Sequence, residues 1–298
     1  MKNDVSIIIP VFNTRELIAR IFPIVIKTKE NASNRLIEII VVDDASTDGS
    51  YEFIKKNFPE IRLIKHKINR GFSASINTGV RSARGKLLAL LNSDVLPDKN
   101  FLTYVVKHFE EQEVFAVSLH EKGFSWAKGY FKEGFIEHAP GKLKDEAHET
   151  FWVNGGSGVF RRDYWMKLGG LDERLLSPFY WEDIDICYRA AKRGLINVWE
   201  PNSKIIHEHE STIKKLPQNY VNNIRERNQL LFIWKNITSP NLFRKHILGL
   251  IQRVIRHPGY IKIVLMALGK IRFIIKARKK EKKESKISDE AIFAKFKD

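Results

Sequence analysis

Residues 37–50 read IEIIVVDDASTDGS: a nearly unbroken apolar run, then two carboxylates, then a polar turn containing glycine. A strand that is apolar without alternation is one covered on both faces, as happens when helices pack on either side of a sheet. The turn Ser46-Thr47-Asp48-Gly49 predicts a helix over Ser50 to Asn57. The same unit stands on both sides. Upstream, Val5 to Pro10 (VSIIIP) reads as a buried strand, and Thr14 to Lys29 carries Leu17, Ile18, Ile21 and Val25 near helical spacing. Downstream come a short strand at Ile61 to Ile64, a helix at Phe72 to Ala83, and a strand at Lys86 to Leu91 that runs into Asn92-Ser93-Asp94. Strands alternating with helices predict an α/β fold with an open, doubly wound, mainly parallel sheet. Ligands of such sheets collect outside the carboxyl ends of the strands, where Asn13, Asp43, Asp44 and Asp94 all fall.

Further along, the pattern predicts a helix over Asp98 to Glu113 and a strand at Val114 to Leu119. Residues 120–150 lose periodicity and read as an irregular insertion. Residues 152–160 suggest a strand with a Gly-rich bend, Arg162 to Leu168 a short helix, Glu182 to Arg193 a longer helix capped by Gly194, and Val198 to His207 a strand. Residues 242–280 predict one or two amphipathic helices broken at His257-Pro258-Gly259, with Ile247, Leu250, Ile251, Val254 and Ile255 on one face. Ala277 to Lys286 is a charge run, and disorder is expected only near this end.

The 298 residues suffice for one large α/β domain and an appendage. The formal charge of +16 asks for an anionic partner. Residues 240–298 hold 16 Lys or Arg against 5 Asp or Glu, so +11 of it lies there. A nucleic-acid binder would interleave its cations with aromatics on a recognition element; here they lie beside an apolar helix face, so no nucleic acid is expected. A basic amphipathic helix favours the surface of an anionic membrane, or else packs on protein. The single cysteine, Cys187, excludes an internal disulfide and a cysteine zinc site, and fits a reducing compartment. Met1-Lys2-Asn3-Asp4 leads into an apolar run too short for a signal peptide, and no stretch reaches a membrane-spanning length. The expected location is cytoplasmic, peripheral on the inner face of the cell membrane.

Strand 1 ends in Pro10-Val11-Phe12-Asn13 without the glycine fingerprint of dinucleotide-binding folds, which weighs against a dehydrogenase. Asp43 and Asp44 form either a solvated turn with a helix cap or a pair that accepts a base N–H or a ribose hydroxyl. Asp94, after a buried strand at the same edge, is a turn residue or a ligand for Mn²⁺ or Mg²⁺ against a diphosphate. Glu182-Asp183-Ile184-Asp185 opens a helix, where the dipole favours negative charge. His207-Glu208-His209-Glu210 follows an extended run; imidazole suits Mn²⁺, and Glu208 or Glu210 can orient the ring.

In this order, VSIIIPVFN (5–13), IEIIVVDDASTDGS (37–50), NRGFSASINTGVRSARG (69–85), LLALLNSD (87–94), GGSGVFRRDYWMKLGGLDE (155–173), YWEDIDICYRAAKRG (180–194) and IIHEHES (205–211) resemble the family 2 inverting glycosyltransferases with the GT-A fold. The resemblance covers about residues 5–235, and RERNQLLFIWKN (225–236), with Arg227-Asn228, looks like the rhamnosyltransferase-like branch. It implies that Asp43 and Asp44 bind base and ribose with Pro10 and Asn13 nearby, and that Asn69, Gly71 and Asn77 match the nucleotide-side helix motif. Asn92, Ser93 and Asp94 match the family's D-x-D-type motif, with Asn92 replacing its first carboxylate. Asp94 and His207 then hold the metal, and Asp183, preceded by Glu182, is the catalytic base. Gly155 and Gly156 form the bend beside donor and acceptor. Trp181 and Trp152 either pack on sugar faces or are simply core aromatics. The implied activity is transfer from a nucleoside-diphosphate sugar, dTDP-rhamnose or a UDP-hexose, to a hydroxyl of a glycan or lipid-linked glycan in polysaccharide or lipopolysaccharide assembly. The rival is a relative that binds nucleotide sugar without turnover. Residues 1–235 are expected to be catalytic, 1–119 on the nucleotide side and 120–235 on the acceptor side, with 236–298 a helical extension.

Overall fold

The computed structural model describes residues 3–208, 214 and 216–297. His209 and Glu210 lie outside the described residues. The first half alternates as expected: β1 (Val5–Val11), α1 (Arg15–Lys27), β2 (Leu36–Asp43), α2 (Ser50–Asn57), β3 (Arg62–Lys65), α3 (Phe72–Ser82), β4 (Leu87–Leu91) and β5 (Val95–Pro97). After α4 (Thr103–Val106) and β6 (Val114–Glu121) come β7 (Ala127–Lys132), β8 (Phe135–Pro140), β9 (His148–Glu149), β10 (Ser157–Arg161), α5 (Arg162–Leu168), α6 (Glu182–Lys192) and β11 (Ile196–His207). The chain continues through α7 (Gln218–Asn236), α8 (Pro240–Arg256), α9 (Ile261–Leu268), α10 (Ile271–Glu284) and α11 (Asp289–Ala294).

The main sheet runs β3-β2-β1-β4-β10-β6-β11-β5, with β9 paired to β11. Strands β3, β2, β1 and β4 are mutually parallel, β6 and β11 are parallel, and β10 runs antiparallel between β4 and β6. β1 and β4 are almost wholly buried because α1 covers one face of the sheet and α3 the other. Burying this apolar surface at about 25 cal/mol per Å² is the main force holding the layers together.

Three sequence expectations change, and one helix has no counterpart among them. The helix over Asp98 to Glu113 shrinks to the single turn of α4 and a 3₁₀ turn at Lys107–Glu110, because the Asp98 carboxylate takes the Asn100 N–H and diverts the backbone into a local turn. The irregular insertion contains a hairpin, β7–β8. Its turn, Glu133-Gly134, has both residues at positive φ, 51° and 88°, as a tight hairpin requires. Its alternation is interrupted at Gly129, where any Cβ would strike the Phe151 ring at 2.3 Å. Helix α7 carried no periodic signal because its second half, Arg227 to Asn236, is buried on all sides. Finally, the charge run at 277–286 is the folded end of α10, and the chain beyond it folds as α11.

Helices α9 and α10 pack on α7, and α8 packs on the β7–β8 turn, where Gly249 lies against the Glu133 carbonyl. These helices join Trp181, Tyr188 and Trp199 in a second core.

Candidate active site

The carboxyl ends of β1, β2 and β4 and the start of α6 enclose a cleft of about 900 Å³. Pro10, Asp44, Asn69, Gly71, Asn92, Ser93 and Asp94 line one end, and Gly155, Gly156, Trp181, Glu182 and Asp183 line the middle. Asn13, Asp43, Asn77 and His207 are not in its wall.

Local bonding explains that split. Asn13 accepts the Thr47 N–H at 2.8 Å and gives its own N–H to Ser46, tying the end of β1 to the turn after β2. The Asn77 amide is consumed by Leu171 and Glu173, far along α3, and so fixes the segment leading to α6. Asp44 faces the cleft, yet its oxygens accept the Arg70 N–H at 2.9 Å, the Gly71 N–H at 2.7 Å and a bond from His66 at 2.7 Å. It shapes the loop that carries Asn69 and Gly71. Asp43 takes only the Ser46 N–H on Oδ2, and its buried Oδ1 has no partner among the described residues.

Asp94 is buried. Its Oδ1 lies 3.0 Å from His207 Nε2, while Oδ2 is buried with no partner among the described residues. The other ring nitrogen of His207 lies 3.5 Å from Glu121, so Glu121 and not Glu208 orients the ring; Glu208 pairs instead with Arg20 at 2.8 Å. Burial opposes a charged imidazole, but Asp94 and Glu121 outweigh it and raise the His207 pKa.

The acidic turn of α6 is set by strained backbone. Tyr180 and Trp181 have φ of 70° and 75°, uncommon for bulky residues. Asn228 on α7 holds them there, donating to the carbonyls of Leu176, Phe179 and Tyr180 at 2.7–3.0 Å, while Arg227 bonds to Ser177 at 2.6 Å. Such strain persists only where surrounding bonds over-determine it. Asp183 then accepts the Gly155 N–H at 3.2 Å. A Cβ at Gly156 would lie 2.3 Å from the Asn92 side-chain amide, so glycine there lets Asn92 keep its place.

The surroundings shift the three acidic residues in different directions. Burial raises the Asp183 carboxyl to about 6, against the pull of the Gly155 and Ile184 N–H groups. Burial, reinforced by Asp183, holds Glu182 well above the usual carboxylate range. Asp185 goes the other way: burial would raise it, but Arg189 and Lys235 hold it at about 2. It is a structural ion, bonded to Arg189, Lys235 and Asn236 at 2.8–2.9 Å. Cys187 is buried and its thiol is pushed up by burial, as fits a structural residue.

Residues 6–166, more than half of the chain, match the family described as glycosyl transferase family 2. The chain belongs to glycosyl transferase family 2. It is 27% identical over 219 residues to a pre-mycofactocin glycosyltransferase of Mycobacterium tuberculosis, a match covering 71% of this chain but only 44% of that protein. It is 19% identical over 228 residues to an N-acetylglucosaminyl-diphospho-decaprenol L-rhamnosyltransferase of the same organism, covering 64% and 72% of the two chains. Among solved structures, GalNAc-T7 with UDP, GalNAc and Mn²⁺ superposes with a TM-score of 0.63 at 17% identity, over 80% of this chain and 49% of that one. The last match shows the fold, GT-A.

The far end of the cleft in this family 2 chain was not visible in the sequence. Glu137 and His138 come from β8, Arg225, Glu226 and Gln229 from α7, and Arg253 from α8. His138 packs edge-on to Trp152 and Trp181, with centroids 5.7 and 6.5 Å away. No spacing signal links these residues, because only the hairpin and the helix pair bring them together.

Proposed function

We propose that this family 2 chain is a metal-dependent inverting glycosyltransferase that moves a sugar from a nucleoside-diphosphate sugar to a hydroxyl of a glycan acceptor. The donors favoured are dTDP-rhamnose or a UDP-hexose. The setting proposed is cell-surface polysaccharide or lipopolysaccharide assembly, with residues 1–119 serving the donor, 120–235 the acceptor and 236–298 extending the fold. The observation that carries this is Asp183, a carboxylate tuned to about 6, facing the same cleft as Asp94 and its unpartnered oxygen.

An acceptor hydroxyl is a poor nucleophile and needs a base within hydrogen-bond reach as its bond to the anomeric carbon forms. Asp183 takes that proton, and the nucleoside diphosphate departs from the opposite face, inverting the centre in one step. Burial and the neighbouring Asp183 hold the Glu182 carboxyl well above the usual range, which opposes a second negative charge beside the base. The donor end has no cation of its own: among the described residues that line the cleft, Arg225 and Arg253 are the cationic side chains, and both belong to α7 and α8 at the far end. Asp94 and His207 would hold Mn²⁺ or Mg²⁺, which when bound supplies Lewis-acid stabilisation of the leaving diphosphate. The buried open oxygen of Asp94 fits that role, and GalNAc-T7 was solved with Mn²⁺ and UDP.

Two outcomes are expected in an assay of nucleoside-diphosphate release from a panel of nucleotide sugars. Chelation by EDTA, or Asp94→Ala, lowers release by about 100-fold or more, and Mn²⁺ restores it only to the unsubstituted protein. A metal-indifferent rate would sink the metal assignment. The pH profile follows from Asp183. A base works ionised, so kcat/KM rises about tenfold per pH unit below about 6 and levels off above it; a profile flat from pH 4 upward would mean that Asp183 is not the base.

A further inference from the structure

Of the 20 large apolar residues exposed on the described surface, half fall between Ile247 and Ile275, on α8, α9 and α10. They are not scattered. On α8, Ile247, Ile251 and Ile255 recur every fourth residue, and on α9 Ile261, Leu265 and Leu268 stack along one side. The inner faces of the same helices are fixed by other residues: Leu242, His246 and Gly249 on α8, Ile263 and Ala267 on α9, and Ile274 on α10. His246 is anchored at both nitrogens, to Trp234 at 2.8 Å and to the Gly134 carbonyl at 2.7 Å. The exposed residues therefore form a fixed surface of the fold and not a loose tail.

The charge that this segment itself carries is of one sign. Residues 241–280 contain 11 Lys or Arg and no Asp or Glu. Acidic residues return only at Glu281, where the chain turns back toward α6. An apolar ridge set among cations, on helices that are not long and apolar enough to cross a bilayer, has the chemistry of a surface that lies on anionic lipid with its apolar side chains in the acyl boundary and its cations among the headgroups. A second copy of the chain fits worse, since it would press two faces rich in positive charge together. Nucleic acid would leave the apolar ridge in water.

We propose that α8, α9 and α10 form a platform that docks this chain on an anionic membrane surface and turns the far end of the cleft toward the lipid. Helix α8 carries Ile251 and Ile255 outward and places Arg253 in the cleft wall, where it bonds to Glu226 at 3.3 Å and lies over the Phe135 ring. The platform and the cleft therefore share one wall, and an acceptor glycan carried on a lipid reaches the cleft from the side that docks. The docking itself is independent of the transferase reading; the class of acceptor, a lipid-carried glycan, rests on it.

The test uses the full chain and the variant Ile251→Glu/Ile255→Glu/Leu265→Glu. These positions are 51%, 72% and 61% exposed, so the changes leave the core intact. Both proteins are sedimented with phosphatidylcholine vesicles, with and without phosphatidylglycerol, at low and high salt. The full chain is expected to sediment with the anionic vesicles, less so at high salt, and the variant to partition at least about tenfold less. A thermal shift with UDP or dTDP and Mn²⁺, equal in both proteins, shows that the fold and donor site are unchanged. Its absence in both counts against the transferase reading and not against docking. Docking is overturned if the full chain stays in the supernatant with anionic vesicles, or if the variant sediments equally well. It is also overturned if the chain proves to be a dimer that the variant splits while neither binds vesicles, because the occupant is then a second copy.

Discussion

Asp183→Asn is expected to slow transfer by about 10³-fold while making the protein more stable at neutral pH. The first half follows from the role of a general base, which contributes typically 10²–10⁴ in rate. The second follows from its pKa. Burial raises the folded-state carboxyl to about 6, above the ordinary value of 3.8, so the folded protein binds that proton more tightly than the unfolded chain does. The stability this lends is full below the unfolded value and is lost as pH rises through about 6. At around pH 8 the wild-type protein therefore carries a buried charge that costs on the order of 3 kcal/mol, and an amide of the same shape does not. The single oxygen of that amide can still accept the Gly155 N–H, but the Ile184 N–H, now 2.8 Å from the other carboxylate oxygen, loses its acceptor, which offsets part of the gain. The variant should melt several degrees higher at around pH 8, and the two proteins should converge near pH 4, where both side chains are neutral. Nucleoside-diphosphate binding should survive, because the donor end does not use Asp183. Equal transfer rates would remove Asp183 from the chemistry, and a lower melting temperature for the variant at around pH 8 would contradict its buried charge.

The second large effect lies far from the cleft. Asp289, at the start of α11, is buried and accepts the Lys192 ammonium at 2.8 Å, the Tyr188 hydroxyl at 2.7 Å, and the N–H groups of Thr238 and Ser239 at 2.7 Å. Lys192 is itself fully buried, on the helix whose first turn carries Asp183, and also donates to Asn236 and Thr238. Burial pulls the lysine pKa down, and Asp289 holds it up. Asp289→Ala leaves an ammonium in the core without its counter-ion and strands two backbone donors. The expected cost is about 3–5 kcal/mol, against a total stability of about 5–15 kcal/mol. Urea unfolding should show it as a large fall in midpoint, little changed by salt because the pair is screened from solvent. Lys192→Met in the Asp289→Ala background should recover part of the loss, since the stranded charge is then gone. A midpoint unchanged by Asp289→Ala would mean that the last helix is dispensable. The same knot rules out cutting the chain near residue 240 as a clean test of membrane binding, because the cut removes Asp289 along with the platform.

The parallel half of the sheet was legible in the sequence because its evidence is local. Apolar runs such as Ile7-Ile8-Ile9, with Asn13 soon after, and Ile39-Ile40-Val41-Val42, followed at once by Asp43-Asp44, can be little else than buried strands ending at one edge. Asp94 and Asp183 were legible for the same reason, each closing or opening a regular element. What escaped was tertiary. Helix α7 is buried all round at Leu230 to Asn236, so it has no polar face to set a period. The β7–β8 hairpin hid behind Gly129 and a turn without the Asn-Gly or Asp-Gly signal. Glu121 reaches His207, and Asn228 shapes Tyr180 and Trp181, only because strands and helices distant in sequence are brought side by side. Asn13 and Asn77 show the converse: their position in a motif was plain, but the partners that consume their amides were not. Asp289 sat in a stretch whose composition suggested a solvated tail, and only its bonds to Lys192, Tyr188, Thr238 and Ser239 reveal a core residue.

The most direct test of the central claim, a nucleotide-sugar site completed by a divalent cation, is the melting temperature of the purified chain against UDP, dTDP, GDP and CDP, each with and without Mn²⁺. A ligand that binds only the folded state raises the midpoint, by about 2.7 kcal/mol of added stability at a hundred times its dissociation constant. The predicted result is a rise with UDP or dTDP that needs Mn²⁺ and is lost in Asp94→Ala. No rise with any of the four, with or without the metal, would contradict the account and leave a chain with the fold of the family but without its donor site.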